Sequence, residues 1–435
     1  MSGKVAYINA RVVDPASGLD TPASESGGVL VDGTRIAAIG PGIFNGGQPA
    51  DAVIADCDGA VLAPGLVDMR VDFCEPGSEH KEDIESGSRA AAAGGVTAVV
   101  TLPDTDPVID DASVLEFVAR RARDVKLVKV FAYGSVTRGA GSDEIVEMGL
   151  MKQAGAVAFT NGRNAVANAK TLSRALKYAL AFDALVVQHA EEPALANGGV
   201  MQSGELATRL GLPGIPREAE TIMLDRDIAL ARMTGGRYHA AHVSTAEGVD
   251  RIRAAKADGL RVTCDTAPPY FALNELAVGE YRTFAKLSPP LRSEEDRQAI
   301  VAGLADGTID CIASDHFPQD QEAKRLPFEL AEFGAAGLES LLALTLELVH
   351  NGHLELPAAL AKVTVRPAEL LDLPVGRLYA GAPADLVLFD PDRPTRIEPD
   401  RFTSKSKNSP FDGRLVQGQV IQTVVDGRTI YTADD

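Results

Sequence analysis

The chain has 435 residues, of which 45% are hydrophobic and 24% charged, a composition typical of a globular protein and not of a disordered one. Its formal net charge of −19 argues against nucleic-acid and membrane-surface binding, because both need basic patches. No stretch reaches the roughly 18 uncharged apolar residues of a membrane helix, and the N-terminal sequence has no apolar signal core, so we expect a cytoplasmic protein.

Alternating apolar residues bounded by Gly, Pro and Asp predict short strands and turns at both ends of the chain. The first such stretches are "KVAYINARVVDP", "GGVLVDGTRIAAIGPG" and "AVIADCDGAVLAPG", and similar ones run from "ADLVLFDPD" to the C-terminus. Asp426–Arg428 separates two of the later stretches and is a hairpin-turn signal. We therefore expect residues 1–62 and 375–435 to form one composite β-sandwich domain.

The middle of the chain, residues 63–374, alternates short apolar runs with amphipathic segments typical of helices, such as "SVLEFVARRAR" and "SEEDRQAIVAGLADG". Eight βα units of this kind predict an α/β fold, a closed (β/α)8 TIM barrel. Active sites of such barrels form at the C-terminal ends of the strands. The eight runs are residues 65–73, 96–103, 125–134, 156–160, 184–190, 237–244, 260–268 and 309–316.

Three polar residues lie near the ends of the later runs, where a barrel would bring them together. His189 lies at the end of the fifth run, His242 of the sixth and Asp315 of the eighth. Zinc accepts imidazole and carboxylate ligands, so the set predicts a metal-site ancestry, although each histidine alone could be a hydrogen-bonded structural residue. His239, three residues before His242, is expected to face the helices because side chains alternate along a strand.

The first strand lacks the residues that would complete such a site. A His-x-His pair would place two imidazoles on one strand face, but the chain has Arg70 and Asp72 there. Arginine is always protonated and has no acceptor, so Arg70 cannot ligate zinc. Asp72 could ligate a metal, but an ion pair between Arg70 and Asp72 is the simpler interpretation.

Longer motifs carry a family resemblance over essentially the whole chain. They include "LAPGLVDM", "EPGSEHKEDIESGSRAAAAGGVTAVVTLPDT", "QHAEEPAL", "HVSTAEG", "SPPLRSEEDRQAIVAGLADGTIDCIASDH" and "SKSKNSPFDG". With these motifs the chain resembles the class I dihydroorotases of the amidohydrolase superfamily, which implies a zinc-dependent (β/α)8 barrel with a composite β domain. The last motif lies in residues 402–413, a polar segment whose composition by itself predicts a solvated connector.

The resemblance assigns roles to only part of the family site. His189 and His242 match histidine ligands, and Asp315 matches the aspartate that is both ligand and catalytic base, here a vestigial base. The substituted positions are Arg70 and Asp72 (the strand-one histidines), Cys74 (the arginine that pairs the substrate carboxylate), Asp104 and Ser288 (two asparagines), Asn161 (an aspartate ligand) and Gln319 (a histidine). Cysteine cannot clamp a carboxylate, and an aspartate would repel an anionic substrate.

Three functions remain open on these residues. The first is a non-catalytic dihydroorotase homologue of pyrimidine biosynthesis that acts as a structural partner of aspartate transcarbamoylase and forms a homodimer. The second is a cyclic amidohydrolase with a reduced one-zinc site at His189, His242 and Asp315, joined by Asp72; a binuclear zinc centre is not expected in either case. The third is a module that senses a small ligand in the altered pocket.

Arg70 carries a specific structural expectation. The first and last strands of a closed barrel are neighbours, so a guanidinium on strand one lies beside the end of strand eight. An unpaired buried carboxylate is costly, and a guanidinium can offset its charge. The sequence therefore predicts a salt bridge from Arg70 to Asp315 or Asp72, within about 3 Å.

Overall fold

The structure is a computed structural model that describes residues 3–22 and 27–433. Parallel strands form two arcs, one of Lys129–Ala132, Val96–Thr101 and Leu66–Val71 and the other of Leu185–His189, Arg237–Ala241, Val262–Thr266 and Cys311–Ile312, each in spatial order. Single bridges join the arcs, Val71 to His316 at one seam, and Phe159 to both Gly134 and Val186 at the other. The predicted (β/α)8 TIM barrel is confirmed. No helix in the described ranges is long and apolar enough to cross a membrane.

The elements of the described chain are numbered in chain order. The strands are β1 Lys4–Ile8, β2 Arg11–Asp14, β3 Leu19–Thr21, β4 Gly28–Asp32, β5 Arg35–Gly40, β6 Ala52–Asp56, β7 Val61–Pro64, β8 Leu66–Val71, β9 Val96–Thr101, β10 Lys129–Ala132, β11 Leu185–His189, β12 Met201–Gln202, β13 Gly214–Ile215, β14 Arg237–Ala241, β15 Val262–Thr266, β16 Cys311–Ile312, β17 Leu386–Arg396, β18 Leu415–Val425 and β19 Arg428–Thr432. The helices are α1 Ile84–Ala93, α2 Ala112–Val125, α3 Met148–Gln153, α4 Ala169–Ala179, α5 Pro193–Ala196, α6 Glu205–Leu210, α7 Glu218–Thr234, α8 Ala246–Ala257, α9 Pro268–Ala272, α10 Glu294–Ala305, α11 Gln321–Arg325, α12 Leu341–His350, α13 Leu356–Lys362 and α14 Val365–Leu370.

The fourth barrel run, residues 156–160, differs from its prediction because it forms no regular strand. Phe159 makes isolated bridges to its neighbours on both sides. The side chain of Asn161 just beyond it accepts hydrogen bonds from the backbone N–H of Val136 and of Thr137, each at 3.1 Å. These bonds satisfy two backbone N–H groups that a longer strand pairing at this position would otherwise satisfy.

Local sequence signals explain where the helices begin and end. Ser293 and Asp296 form a capping box at the start of α10, in which each side chain accepts a bond from the other's backbone N–H. Such a cap stabilises a helix by roughly 1 kcal/mol. At the C-terminal end of helix α7, Gly235 adopts a left-handed conformation with φ of 74°, which glycine reaches without steric cost.

The chain ends form two sheets outside the barrel. The first, in the order β5-β4-β1-β6, consists of N-terminal strands, and the second, in the order β19-β18-β17-β7-β2-β3, combines strands from both chain ends. The hairpin turn is confirmed, because β18 and β19 pair antiparallel with Val425 opposite Arg428. Residues 1, 2, 23–26, 434 and 435 of the predicted composite domain lie outside the described residues.

The expectation of a solvated connector at residues 402–413 is wrong. Ser404, Ser406 and Asn408 are each 2% exposed. Ser406 Oγ donates to the backbone oxygen of Gln319 at 2.7 Å, and Asn408 Nδ2 donates to Gly334 O at 2.9 Å. Polar composition predicted exposure, but these side chains satisfy backbone groups of the loop after β16 and fix that loop above the barrel.

We expect Gly94→Ala to destabilise the protein by about 1–3 kcal/mol, through overpacking against rigid backbone. A Cβ at Gly94, which follows α1, would lie 2.2 Å from the backbone oxygen of Leu338. Urea unfolding measures the change. Gly46→Ala is the matched control, because its added Cβ would meet nothing within 4 Å. Equal stability of both variants would contradict the packing argument.

Candidate functional site

The strand ends of the barrel bring His189, His242, Asp315 and Arg70 into one hydrogen-bonded chain. His189 Nδ1 lies 2.8 Å from His242 Nε2, and His242 Nδ1 lies 3.0 Å from Asp315 Oδ2. Arg70 Nε donates to the other carboxylate oxygen, Asp315 Oδ1, at 2.9 Å. The retained residues of the predicted metal site therefore contact one another.

Burial and neighbouring charges determine the protonation of this hydrogen-bonded network. Burial, and next the positive charge of Arg70, lower the pKa of His242, so its ring is neutral at pH 7. Burial by itself raises the pKa of Asp315, but the hydrogen bond from His242 and the charge and hydrogen bond of Arg70 outweigh burial and hold that pKa well below its usual value. A neutral His242 that donates from Nδ1 to the carboxylate accepts at Nε2, so His189 donates from Nδ1.

Arg70 confirms the expected salt bridge to Asp315. The residue is only 2% exposed, and its Nη2 also donates to the backbone oxygen of Gly162 at 3.3 Å. The simpler interpretation of Asp72, an ion pair with Arg70, is wrong. Asp72 instead binds Arg163, because the guanidinium of Arg70 is directed across the barrel seam to the end of the last strand.

Arg163 is a site residue that the sequence reasoning missed. Its Nη1 lies 2.7 Å from Asp72 Oδ2, and its Nε lies 2.9 Å from Asp104 Oδ2. Its guanidinium carbon lies 3.6 Å from the centroid of the Phe317 ring, within cation–π distance. One signal could have found it: two aspartates newly placed near the mouth need a cation, and Arg163 follows the fourth run.

The other substituted positions are structural. Asn161 Oδ1 also accepts from Ser135 Oγ at 3.0 Å, and its Nδ2 donates to Thr137 Oγ1 at 2.9 Å, so its amide is fully engaged. Burial, and next Asp72, raise the pKa of the Cys74 thiol far above its usual value, so it is not a thiolate.

Two further substituted positions lie at loops around the mouth. Ser288 Oγ donates to Glu191 Oε2 at 3.2 Å. Gln319 Nε2 donates to the backbone oxygen of Phe333 at 2.9 Å. Both side chains hold neighbouring loops in place. Ser288 does not supply the amide, and Gln319 does not supply the imidazole, that the resemblance implies at these positions.

His239 does not face the helices, contrary to the strand-alternation prediction. Its ring nitrogens lie 2.8 Å from Thr263 Oγ1 and 3.0 Å from Asp265 Oδ2, both on the next barrel strand. Strand β14 ends at Ala241, and His242 has a left-handed φ of 40°. Alternation with period two therefore stops between His239 and His242, and their orientations are not linked.

A cavity of about 220 Å³ lies above this network. Asp315 and Arg163 reach its wall, together with apolar side chains that include Leu287, Phe317 and Phe333. Arg163 is already bonded to two carboxylates, through Nη1 and Nε, so its charge is offset before any anionic ligand binds. The cavity has the form of a ligand pocket whose arginine is already paired with carboxylates.

The donors present do not fit the zinc pair that the resemblance implies. His242 uses both ring nitrogens on protein partners, and both oxygens of Asp315 are bonded within the chain. Across the described ranges, no three His, Cys, Asp or Glu residues are grouped so that they could hold a metal ion. Arg70 adds a permanent positive charge at a position that the resemblance assigns to a ligand.

Family models and full-length relatives of this chain indicate the same family. A profile described as Dihydro-orotase-like matches residues 59–248, and one described as Amidohydrolase family matches residues 343–431. A protein of Anaplasma phagocytophilum named dihydroorotase is 48% identical over 99% of this chain and 96% of its own length. One of Syntrophotalea carbinolica with the same name is 46% identical over 99% of this chain and its full length.

Solved structures agree on the fold. L-hydantoinase (dihydropyrimidinase) from Arthrobacter aurescens superposes with a TM-score of 0.86 at 26% identity, covering 98% of this chain and 95% of its own. Dihydropyrimidinase from Brevibacillus agri has a TM-score of 0.82 at 25% identity, covering 98% of this chain and 94% of its own.

We expect Arg70→Ala to reduce the free energy of unfolding by about 1–3 kcal/mol, because it leaves the Asp315 carboxylate, whose side chain is 20% exposed, without its guanidinium partner. Denaturant unfolding at pH 7 measures the loss. The control is Arg89→Ala, which removes an exposed pair with Glu85 worth about 1 kcal/mol or less. An Arg70→Ala variant as stable as the Arg89→Ala control would refute a stabilising role for the buried pair.

Arg163→Lys should destabilise the protein by roughly 1–3 kcal/mol even though the charge is kept. Arg163 reaches Asp72 and Asp104 through two different nitrogens, whereas a lysine has one. The matched control is Arg232→Lys, whose pair with Asp258 is exposed and should tolerate the change. Thermal and denaturant unfolding of both variants test this, and similar small losses would show that charge alone suffices.

Proposed function

The chain belongs to the dihydroorotase-like family of amidohydrolases, and from that premise we propose that it is a non-catalytic member acting in pyrimidine biosynthesis. The single observation that carries the proposal is the Arg70 guanidinium bonded to Asp315 at 2.9 Å. A fixed cation occupies a ligand position and engages the residue that matches the family's catalytic base.

The electrostatics of Asp315 support this proposal. A general base works best when its pKa lies near the working pH. Arg70 and His242 hold the pKa of Asp315 well below its usual value, so its carboxylate is a weak base. A divalent cation placed there would also meet the charge of Arg70, which repels it.

Substrate recognition is altered in the same direction. The family's carboxylate-pairing arginine is replaced by Cys74, which is buried and protonated. Arg163 is the arginine on the cavity wall, and Asp72 and Asp104 already neutralise it. An anionic substrate therefore meets, on this cavity wall, a guanidinium whose charge is already offset by two carboxylates.

A structural role explains why an altered site would keep an intact barrel. The resemblance implies aspartate transcarbamoylase as the partner, and we propose that this chain supports the assembly of that enzyme. The internally paired polar network favours such a role, because it stabilises the barrel without a ligand. A homodimer remains part of the same proposal.

The alternative is a cyclic-amide hydrolase, a dihydroorotase or a related enzyme, with a one-zinc site. The names of the relatives favour it over the non-catalytic proposal, since proteins 48% and 46% identical to this chain are named dihydroorotase. His189, His242 and Asp315 would be the donors, joined by Asp72. This alternative requires Arg70 and Arg163 to release the two carboxylates, which the buried ion pairs oppose.

We expect the purified chain to show no hydrolysis of dihydroorotate with added zinc, and to retain less than one zinc per chain after dialysis. The reason is the engagement of His242, Asp315 and Asp72 by protein partners. The Anaplasma phagocytophilum relative, assayed in parallel, is the control. Stoichiometric zinc together with turnover would establish the one-zinc alternative instead.

We also expect deletion of this chain to lower aspartate transcarbamoylase activity in cell extracts, whereas an Asp315→Asn variant shown to be folded retains it, because assembly does not use a catalytic base. Co-purification of the two proteins is the direct measurement. A pyrimidine requirement caused by Asp315→Asn in a stably folded protein would show that catalysis matters.

A further inference from the structure

A cavity of about 350 Å³ lies between the barrel and the sheet that both chain ends build. Helices α1 and α12 contribute to its barrel side, and strands β17 and β18 contribute to the opposite side. Its apolar lining includes Leu342, Ile397 and Val420. Charged side chains of both signs lie on the same lining, so the cavity combines an apolar surface with polar groups that could orient a ligand.

Arg396 is a cation on this lining that the protein itself does not use. Its side chain forms no hydrogen bond or ion pair with any residue of the described chain, and the same holds for the side chains of Thr395 and Gln419 on the lining. By contrast, Arg401 Nη1 lies 3.4 Å from Glu398 Oε2, so the other two exposed charges of the lining pair with each other. The planar guanidinium of Arg396 therefore remains available to a ligand carboxylate.

Glu339 is a half-buried carboxylate on the same lining, and one of its oxygens is open. Oε1 accepts from the backbone N–H of Ser404 at 3.0 Å. Oε2 accepts no hydrogen bond, and it does not belong to the fully buried unpartnered atoms of the described chain, so it remains accessible. Burial raises the pKa of this carboxyl, and no lysine or arginine of the described chain lies within 4.0 Å of it. A ligand cation would therefore stabilise a partly desolvated charge that the protein leaves unpaired.

We propose that this cavity binds a small zwitterion, an α-amino acid with a compact apolar side chain. Its carboxylate accepts from Arg396, its ammonium group donates to Glu339 Oε2, and its side chain packs against Leu342 and Val420. Glu339 and Arg396 line one cavity without pairing with each other, so a ligand of both charges satisfies both residues. A ligand with only one of the two charges leaves one of these residues without a partner.

The cavity is distinct from the one over Asp315. Ser340 lines both spaces, and its Oγ donates to the backbone oxygen of Gly337 at 3.1 Å. The proposal therefore goes beyond the proposed function: it holds whether or not the Asp315 site is catalytic, and its test uses no activity measurement.

Three probes with the same branched carbon chain and different charges test the proposal: L-leucine, L-leucinamide and isocaproate. Leucinamide lacks the carboxylate, and isocaproate lacks the ammonium group. Thermal unfolding and calorimetric titration of the full chain follow binding. We expect L-leucine to bind at least about tenfold more tightly than either analogue. Binding of leucinamide or isocaproate as tight as that of L-leucine, or no binding of L-leucine, would overturn the proposal.

Variants locate the binding. Arg396→Ala removes a side chain that has no protein partner, so the variant should unfold like the parent and bind L-leucine about tenfold or more weakly. Arg393→Ala, at an exposed position on the same strand outside the lining, is the matched control and should bind like the parent. Glu339→Gln keeps an acceptor for Ser404 but removes the charge, and should weaken binding by a similar factor. Undiminished binding of L-leucine by Arg396→Ala would refute the assignment.

Discussion

The ion pair between buried Arg70 and half-buried Asp315 lies across the seam where the barrel closes. The last strand, β16, is only two residues long, and the first and last strands meet through the bridge of Val71 with His316. Arg70 and Asp315 are the chain neighbours of those two residues, and their 2.9 Å bond spans the same seam. A charged side-chain pair therefore supports a closure that has little backbone ladder, and losing either member would leave the other charge uncompensated.

The substituted residues of the mouth are coupled through charge. Arg70 neutralises Asp315, while Arg163 neutralises Asp72 and Asp104. Each of these three carboxylates thus forms an ion pair with a guanidinium. Replacing one of these residues by a metal ligand would remove one partner from the ion-pair network. The resulting loss of stability explains how these residues can persist together.

Much of this architecture could be predicted from the chain alone. Apolar runs recur in alternation with amphipathic segments, and that periodicity indicates a parallel barrel whose strand ends converge. The adjacency of the first and last strands of a closed barrel placed Asp315 within reach of Arg70, but the sequence left Asp72 as an alternative partner, and the structure decided between them. The segment 402–413 could not be placed in this way, because polarity does not distinguish solvent from buried backbone partners such as Gln319 O.

Sequence by itself determined the barrel, all of its strands except the fourth, and the residue types at its mouth. These features depend on periodicity within single segments and on one rule of barrel closure. The tertiary structure alone decided which charges meet. Asp72 and Arg163 lie 91 residues apart, and their contact depends on loop path and strand register. His239 faces Thr263 and Asp265 on the neighbouring strand, and the left-handed backbone at His242 ends the alternation that would have related the two histidines. Such contacts arise from the packing of separate elements, to which no local pattern is sensitive.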